Sequence, residues 1–287
     1  GIGGSDAGII VGLNKWKSPF QLWLEKTGQV EAEDISDNEF VYWGNVLEQV
    51  VADEFTVRTG KKVMSRGLLQ HDELPWMLAS VDRMVVGENA GLECKTANGF
   101  ASKLWEDDEI PDSYYCQCQH YMAVTGCEAW YIACLLGGNK FIWKRIERNE
   151  EDIKALLMAE SLFWKMVKTK TMPEVDGSKS CADALATKFA GGLTDPLTLP
   201  SEAATIVARL DELKIAKKGI EQVIGENENR IRELLGNYET GFIGERKITW
   251  KSQSGRITVD SKRLKIDLPD IYNKYSKVGA PIRVLKY

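Results

Sequence analysis

The chain has 287 residues, 44% of them hydrophobic, and a formal net charge of −5. That is enough apolar material for one large domain, or for a core with a smaller second unit. No apolar run approaches the roughly 20 residues that span a bilayer, and the acidic balance argues mildly against bulk attraction to nucleic acid while leaving local patches open.

The opening run GIGGSDAGIIVGLNKW is a Gly-rich turn leading into a short helix from about Ala7, with Ser5 or Asp6 as its cap. SPFQLWLEKTG predicts a second helix: Ser18 as cap, Pro19 at its first position, Gly28 just past its end. In EFVYWGNVLEQVVADEFTVRTG, Trp43, Val46, Leu47, Val50, Val51 and Phe55 recur at helical spacing, and Gly60 stops the helix. Short extended runs at Lys62–Met64 and Leu68–Leu69 precede WMLASVDRMVV and GLECKTA, which read as paired strands joined by a tight loop. DSYYCQCQHYMAVTG is a helix with Asp112 or Ser113 as cap and Gly126 as its end. The acidic run Glu106–Glu109 before it reads as a solvated loop. AWYIACLLGG and KFIWKRIE form a hairpin turning at Gly137, Gly138 and Asn139. NEEDIKALLMAESLFWKMVKT is a long helix with acids at its N-terminal end.

Composition changes after Pro173, where small residues, Gly and Pro predict a linker over 176–200. Residues 201–235 form a long charged helical region. Its narrow stripe of Ile206, Leu210, Leu213, Ile220, Val223, Ile231 and Leu234 suits a helical hairpin or a coiled-coil seam. A β-like tail follows. The expected organisation is a core over 1–175, the linker, and a helical and β accessory region over 201–287. The six cysteines lack the paired short spacings of a zinc site, so free thiols in a reducing cytoplasm are the expectation. No secretory leader is visible, and the sequence begins at Gly1 without Met.

Chemistry concentrates in GLECKTA. Alternate strand residues share a face, so Glu93 and Lys95 point one way while Leu92 and Cys94 point into a core. If Val86 pairs with Gly91, Asp82 lies opposite Lys95, and all three charged groups share one face; a one-residue slip separates them. Asp82 and Glu93 suit a hard divalent cation such as Mg²⁺, with the Cys94 backbone carbonyl as third ligand. Lys95 would orient or help deprotonate a water and stabilise phosphate charge. On the preceding helix Glu48 has small neighbours one turn away, Gly44 and Ala52, which leave room for a ligand. On the following helix Gln117 and Tyr121 share a face and can hold a substrate strand or a water. His120 points elsewhere and reads as structural. Each feature also has a plain alternative: a cross-strand ion pair, a surface acid, a polar helix edge.

Taken together, GIGGSD, YWGNVLEQVV, ASVDRMV, LECKTA and YYCQCQHYMAVTG resemble the YqaJ-type viral recombinase nucleases, relatives of phage lambda exonuclease in the PD-(D/E)xK superfamily. The resemblance runs from Gly1 to about residue 170, and KITWKSQSGRITVDSKRLKIDLPDIYNKY resembles the tail of longer members. It implies an α/β (α+β) restriction-endonuclease-like core with a mixed central sheet flanked by helices, followed by a C-terminal helical hairpin and small β unit. It also implies a Mg²⁺-dependent alkaline exonuclease degrading one strand of linear duplex DNA from its 5′ end, with Mn²⁺ as a substitute and two ions per site during catalysis. By motif match Glu48, Asp82 and Glu93 are the metal-binding acids, Lys95 the catalytic lysine, and Gln117 and Tyr121 the QxxxY pair. Ser5 matches a serine that binds the terminal 5′-phosphate. Val81 stands where the superfamily motif has Pro, and the Arg that precedes GIGG in relatives has no counterpart here. The implied partners are duplex DNA ends, a single-strand annealing protein of the RecT/beta type and further copies in a ring-shaped trimer. The implied setting is the cytoplasm of a bacterial host, with a phage or prophage gene. An endonuclease on the same fold and a non-catalytic DNA-binding module are the alternatives. Closed circular duplex separates the first from an end-dependent enzyme, and a Lys95→Ala variant separates the second.

Overall fold

The computed structural model describes residues 1–287 except 33, 36, 108 and 280–282. Two compact units divide the chain, Gly1–Ala190 and Gly191–Tyr287.

In the first unit, α1 (Gly4–Ile10), α2 (Pro19–Lys26) and α3 (Glu39–Thr59) precede the sheet strands β1 (Val63–Met64), β2 (Leu68–Gln70), β3 (Leu78–Ser80), β4 (Arg83–Val85) and β5 (Ala90–Ala97). A 3-10 helix (Gly99–Trp105) and α4 (Asp112–Thr125) lead to β6 (Ala129–Leu136), β7 (Lys140–Glu147), α5 (Glu150–Thr169) and α6 (Lys179–Lys188). The main sheet has the order β1-β4-β5-β6-β7. Only β5 and β6 run parallel; the other neighbours are antiparallel, so the sheet is mixed, as the sequence predicts. A parallel pair requires a crossover, and α4 supplies it.

Each sheet face has its own cover. Val51, Ala52 and Phe55 of α3 pack on Leu92, Tyr131 and Ala133. Cys118, Tyr121 and Met122 of α4 pack on Trp130, Ile132 and Cys134. β5 therefore alternates Leu92 and Cys94 toward α3 with Glu93 toward α4. Gly91 shares the α4 face, and a Cβ there would lie 2.3 Å from the Trp130 ring. Only a glycine lets that indole lie flat on the strand.

Several local signals hold as read. The Ser18 side chain accepts the Gln21 N–H with Pro19 at the first helical position, and Gly60 and Gly126 end α3 and α4 in the left-handed conformation. Others do not. α1 begins at Gly4, capped at Gly3 and not at Ser5 or Asp6; Asp6 instead accepts the Gly3 N–H from inside the helix. α4 starts after Pro111 without a side-chain cap. WMLASVDRMVV is broken at Val81–Asp82, so that β3 pairs with β2 and only β4 pairs with β5. The register is Met84↔Gly91, not Val86↔Gly91. The shift is two residues, an even number, so the face assignment survives. The acidic run is a loop with Glu106, Asp107 and Glu109 exposed, as read from the sequence, and Lys144 Nζ donates to the backbone carbonyls of Trp105, Asp107 and Glu109; Asp108 lies outside the described residues.

The expected linker contains α6, whose Cys181 and Ala184 are buried with Phe20, Trp23 and Phe163, so the first unit runs past 175 to Ala190. In the second unit, 201–235 is one continuous helix, α7 (Glu202–Leu235), not a helical hairpin. The β-like tail is a short hairpin, β8 (Thr240–Ile243) and β9 (Arg246–Thr249), followed by helices α8 (Ser261–Asp267) and α9 (Pro269–Tyr275). Among the described residues no cysteine is disulfide-bonded, and no helix is long and apolar enough to cross a membrane.

Candidate active site

The site forms where β5 passes under α4. Asp82 sits in the break between β3 and β4, and its Oδ2 accepts the Cys94 backbone N–H at 2.7 Å. That bond fixes the carboxylate beside the middle of β5. Burial, followed by the charge of Glu93, pushes the Asp82 carboxyl up from its ordinary range to about 7.

Glu93 is buried, and its Oε1 accepts from Lys95 Nζ at 2.5 Å and from Gln117 Nε2 at 2.7 Å. Its Oε2 is buried with no hydrogen-bond partner. A carboxylate oxygen stripped of water and left bare is costly by about 1–3 kcal/mol or more, and it faces a neighbourhood already crowded with acid. An oxygen-seeking cation answers both problems. The donor set, Asp82 and Glu93 on one face with the β5 backbone between them, therefore fits a hard divalent ion that completes its shell with water and phosphate oxygens. The full three-acid set does not converge: among the described residues no group of three or more His, Cys, Asp and Glu is placed to hold a metal.

Glu48 explains the shortfall. It comes from α3, across the sheet, and its Oε1 accepts from Arg83 Nη1 at 2.5 Å. Arg83 is itself buried, and also donates to the Asp82 carbonyl and to Gln49 Oε1. Of the two small neighbours, Ala52 is fully buried in the α3 core, while a Cβ on Gly44 would make only an ordinary 3.7 Å contact with Thr96. Arg83 is the residue that sequence reasoning missed. Its signal was present in ASVDRMV, as a basic residue directly after the acid and hence on the opposite strand face, toward α3.

Lys95 donates to Glu93 and lies 4.9 Å from the centre of the Tyr114 ring. Burial works to lower its pKa, but the Glu93 carboxylate prevails and holds it above the ordinary lysine value. Beside the bare Glu93 carboxylate the charged ammonium is the favoured form.

Gln117 and Tyr121 are behind Glu93 rather than in front of it. Both are buried; Gln117 Nε2 bridges Glu93 Oε1 and the Tyr121 hydroxyl, which donates to the Ser80 carbonyl at 2.9 Å. They brace the carboxylate and tie it to β3. His120, on the same helix, pairs with Glu160 at 2.8 Å and with the Leu78 carbonyl at 3.0 Å, all within the core, in keeping with the structural reading.

Ser5 is exposed in the first turn of α1. The turn is pressed against the brace: a Cβ on Gly4 would lie 2.4 Å from Tyr121 Cε1 and 3.0 Å from Gln117 Cγ. Asp6 already occupies the helix start, accepting from Gly3 N–H and pairing with Lys26 at 2.7 Å. The expected attraction of an anion to that terminus is therefore offset, and the Ser5 hydroxyl is what remains.

Comparison with known proteins bears on this geometry. The model of the YqaJ-like viral recombinase domain matches residues 1–128. The YqaJ protein of Bacillus subtilis (strain 168) is 45% identical over 289 residues, covering 96% of this chain and 88% of that protein. Among solved structures, the alkaline exonuclease LHK-Exo from Laribacter hongkongensis aligns at TM-score 0.51 and 20% identity, over 59% of this chain and 88% of that one. Its complex with dAMP aligns at the same TM-score with 21% identity. At that identity the likeness concerns the fold alone: over 59% of its length the chain is folded like that alkaline exonuclease. With so high an identity to one relative along nearly its entire length, the chain belongs to the YqaJ-like viral recombinase family.

Proposed function

We propose that the protein is a metal-dependent DNA exonuclease that hydrolyses phosphodiester bonds of linear duplex DNA from the 5′ end, leaving 3′ single-stranded tails for phage-type recombination. The observation that carries this reading is the bare, buried Glu93 Oε2 beside Asp82 and Lys95. A binding module gains nothing from two acids turned toward a phosphate.

Asp82 and Glu93, with the Cys94 carbonyl, would hold Mg²⁺ or Mn²⁺. When bound, the cation lowers the pKa of water and offsets phosphate charge. The chain's own residues do the rest. Gln117 and Tyr121 keep Glu93 from rotating, through the 2.7 and 2.8 Å bonds. Lys95, fixed by Glu93, would present its ammonium to the scissile phosphate, where negative charge grows in the transition state. Glu48, held by Arg83 across the sheet, would serve a second ion only on leaving that ion pair. Ser5 would meet the terminal 5′-phosphate. An annealing protein and assembly into a ring belong to the same reading, supported by family membership.

The test is digestion of linear duplex with each strand labelled in turn and with 5′-phosphate or 5′-hydroxyl ends, in Mg²⁺ and in chelator. Metal-dependent shortening of the 5′-ended strand with closed circles left intact is expected. Cleavage of closed circles would replace the exonuclease with an endonuclease, and binding without cleavage in any divalent metal would remove the enzyme.

A further inference from the structure

Helix α7 has 34 residues, none of them buried. Its apolar side chains are nevertheless not scattered. Leu210, Ile224 and Ile231 fall at one core position of a heptad and Leu213, Ile220 and Leu234 at the other, with Ile224 rather than Val223 continuing the seam. Ile220 is 61% exposed and Ile224 51%. Two seam positions are polar, Lys217 and Asn227.

The spacing of those two residues selects a partner. We propose that α7 pairs with the α7 of a second copy of this chain, antiparallel, about a two-fold axis at Gln222. In that register Lys217 of each copy faces Asn227 of the other, so the two polar seam residues meet each other. All other layers are apolar: Leu210 against Leu234, Leu213 against Ile231, Ile220 against Ile224. The overlap from 210 to 234 is about 37 Å of helix. On the flanks, Val207 of one copy comes beside Leu235 of the other, and Lys214 beside Glu228, twice by symmetry; there Lys214 exchanges the Tyr287 ring of its own chain, and Glu228 the Arg232 of its own helix, for each other. Glu221 meets its own copy near the axis, but each is already 3.7 Å from Lys217 of its own helix.

The parallel alternative lacks this complementarity. It sets Lys217 against Lys217 in the seam and Arg209 beside Lys214 on each flank, three like-charge contacts in all. A different protein as partner would leave unexplained why the pattern matches itself when reversed. A buried polar pair at one layer also fixes register, because any shift buries Lys217 against an aliphatic side chain. The inference does not depend on the chemistry at Glu93.

The full-length chain is the material for the test. Sedimentation velocity compares it with Ile220→Asp/Ile224→Asp, and circular dichroism verifies that folded content is kept. The unaltered chain is expected to sediment with at least twice the mass of the variant. Separately, equal amounts of ¹⁴N- and ¹⁵N-labelled unaltered chain are mixed and treated with a zero-length carbodiimide. A Lys214–Glu228 link of mixed isotope is expected; the two residues of one helix are about 21 Å apart and cannot react with each other. An unchanged mass in the variant overturns the pairing. A mass change without the mixed-isotope link overturns its antiparallel form.

Discussion

Asp82→Asn should stabilise the metal-free protein and at the same time remove its response to Mg²⁺. Burial and the neighbouring Glu93 raise the Asp82 carboxyl from 3.8 to about 7. The folded chain therefore holds this proton more tightly than the unfolded chain does. Stability then falls as pH climbs from the ordinary carboxylate range toward 7 and levels off above it, because the folded state must give up a proton the unfolded state has already lost. Each pH unit in that window is worth about 1.4 kcal/mol. Asn has no charge to desolvate, and its amide oxygen can still accept the Cys94 N–H. The stability gap between variant and parent should widen by about 2–3 kcal/mol between about pH 5 and about pH 8. Urea denaturation in chelator at the two pH values measures this gap, and repetition in excess Mg²⁺ measures the second effect. Metal should raise the parent's midpoint and leave the variant's unchanged. A gap that does not vary with pH, or equal stabilisation of both proteins by Mg²⁺, would refute the placement of Asp82 as a strained carboxylate awaiting a cation.

Lys95→Ala should lower strand release by about 10²–10³-fold while duplex binding, followed by fluorescence anisotropy, persists; undiminished cleavage would exclude Lys95 from the chemistry. Gly4→Ala drives a Cβ into the Tyr121 ring and should lower stability by about 1–3 kcal/mol, visible as an earlier denaturation midpoint. His120→Gln strands Glu160 in the core, and a loss of about 3–5 kcal/mol is expected at mildly acidic pH. Burial opposes the charged imidazole, but the Glu160 hydrogen bond raises its pKa overall. The pair's contribution is therefore full below the ordinary histidine value and fades as pH rises through the raised one, so the deficit of the variant should shrink under alkaline conditions.

Much of the site was legible because strand parity is robust. Glu93 and Lys95 share a face whatever the register, and the two-residue error in pairing β4 with β5 left Asp82 on that face. What the sequence hid was depth. Gln117 and Tyr121 lie on one helix edge in any reading, but only packing against Gly4 and Ser80 shows that the edge is buried and serves as a brace. Glu48 likewise has the right spacing on α3, yet its partner is set by the side to which Arg83 turns, a tertiary matter. α6 was obscured by its flanking Gly and Pro, although Ser178 capping Cys181 is an ordinary helix start. α7 misled in the other direction: a seam implies a partner, and the natural assumption is a partner within the chain.

The crossover through α4 also sets where the site's residues fall along the chain. Asp82, Glu93, Lys95, Gln117 and Tyr121 all precede the end of β6, so a nascent chain that has emerged as far as Leu136 already carries every member of the braced carboxylate. Glu160 reaches the ribosome exit later, on α5, and only then can His120 be satisfied. The His120–Glu160 pair thus acts as a latch that fastens α4 to α5, and cleavage of the chain between β7 and α5 would leave the working groups present but unfastened.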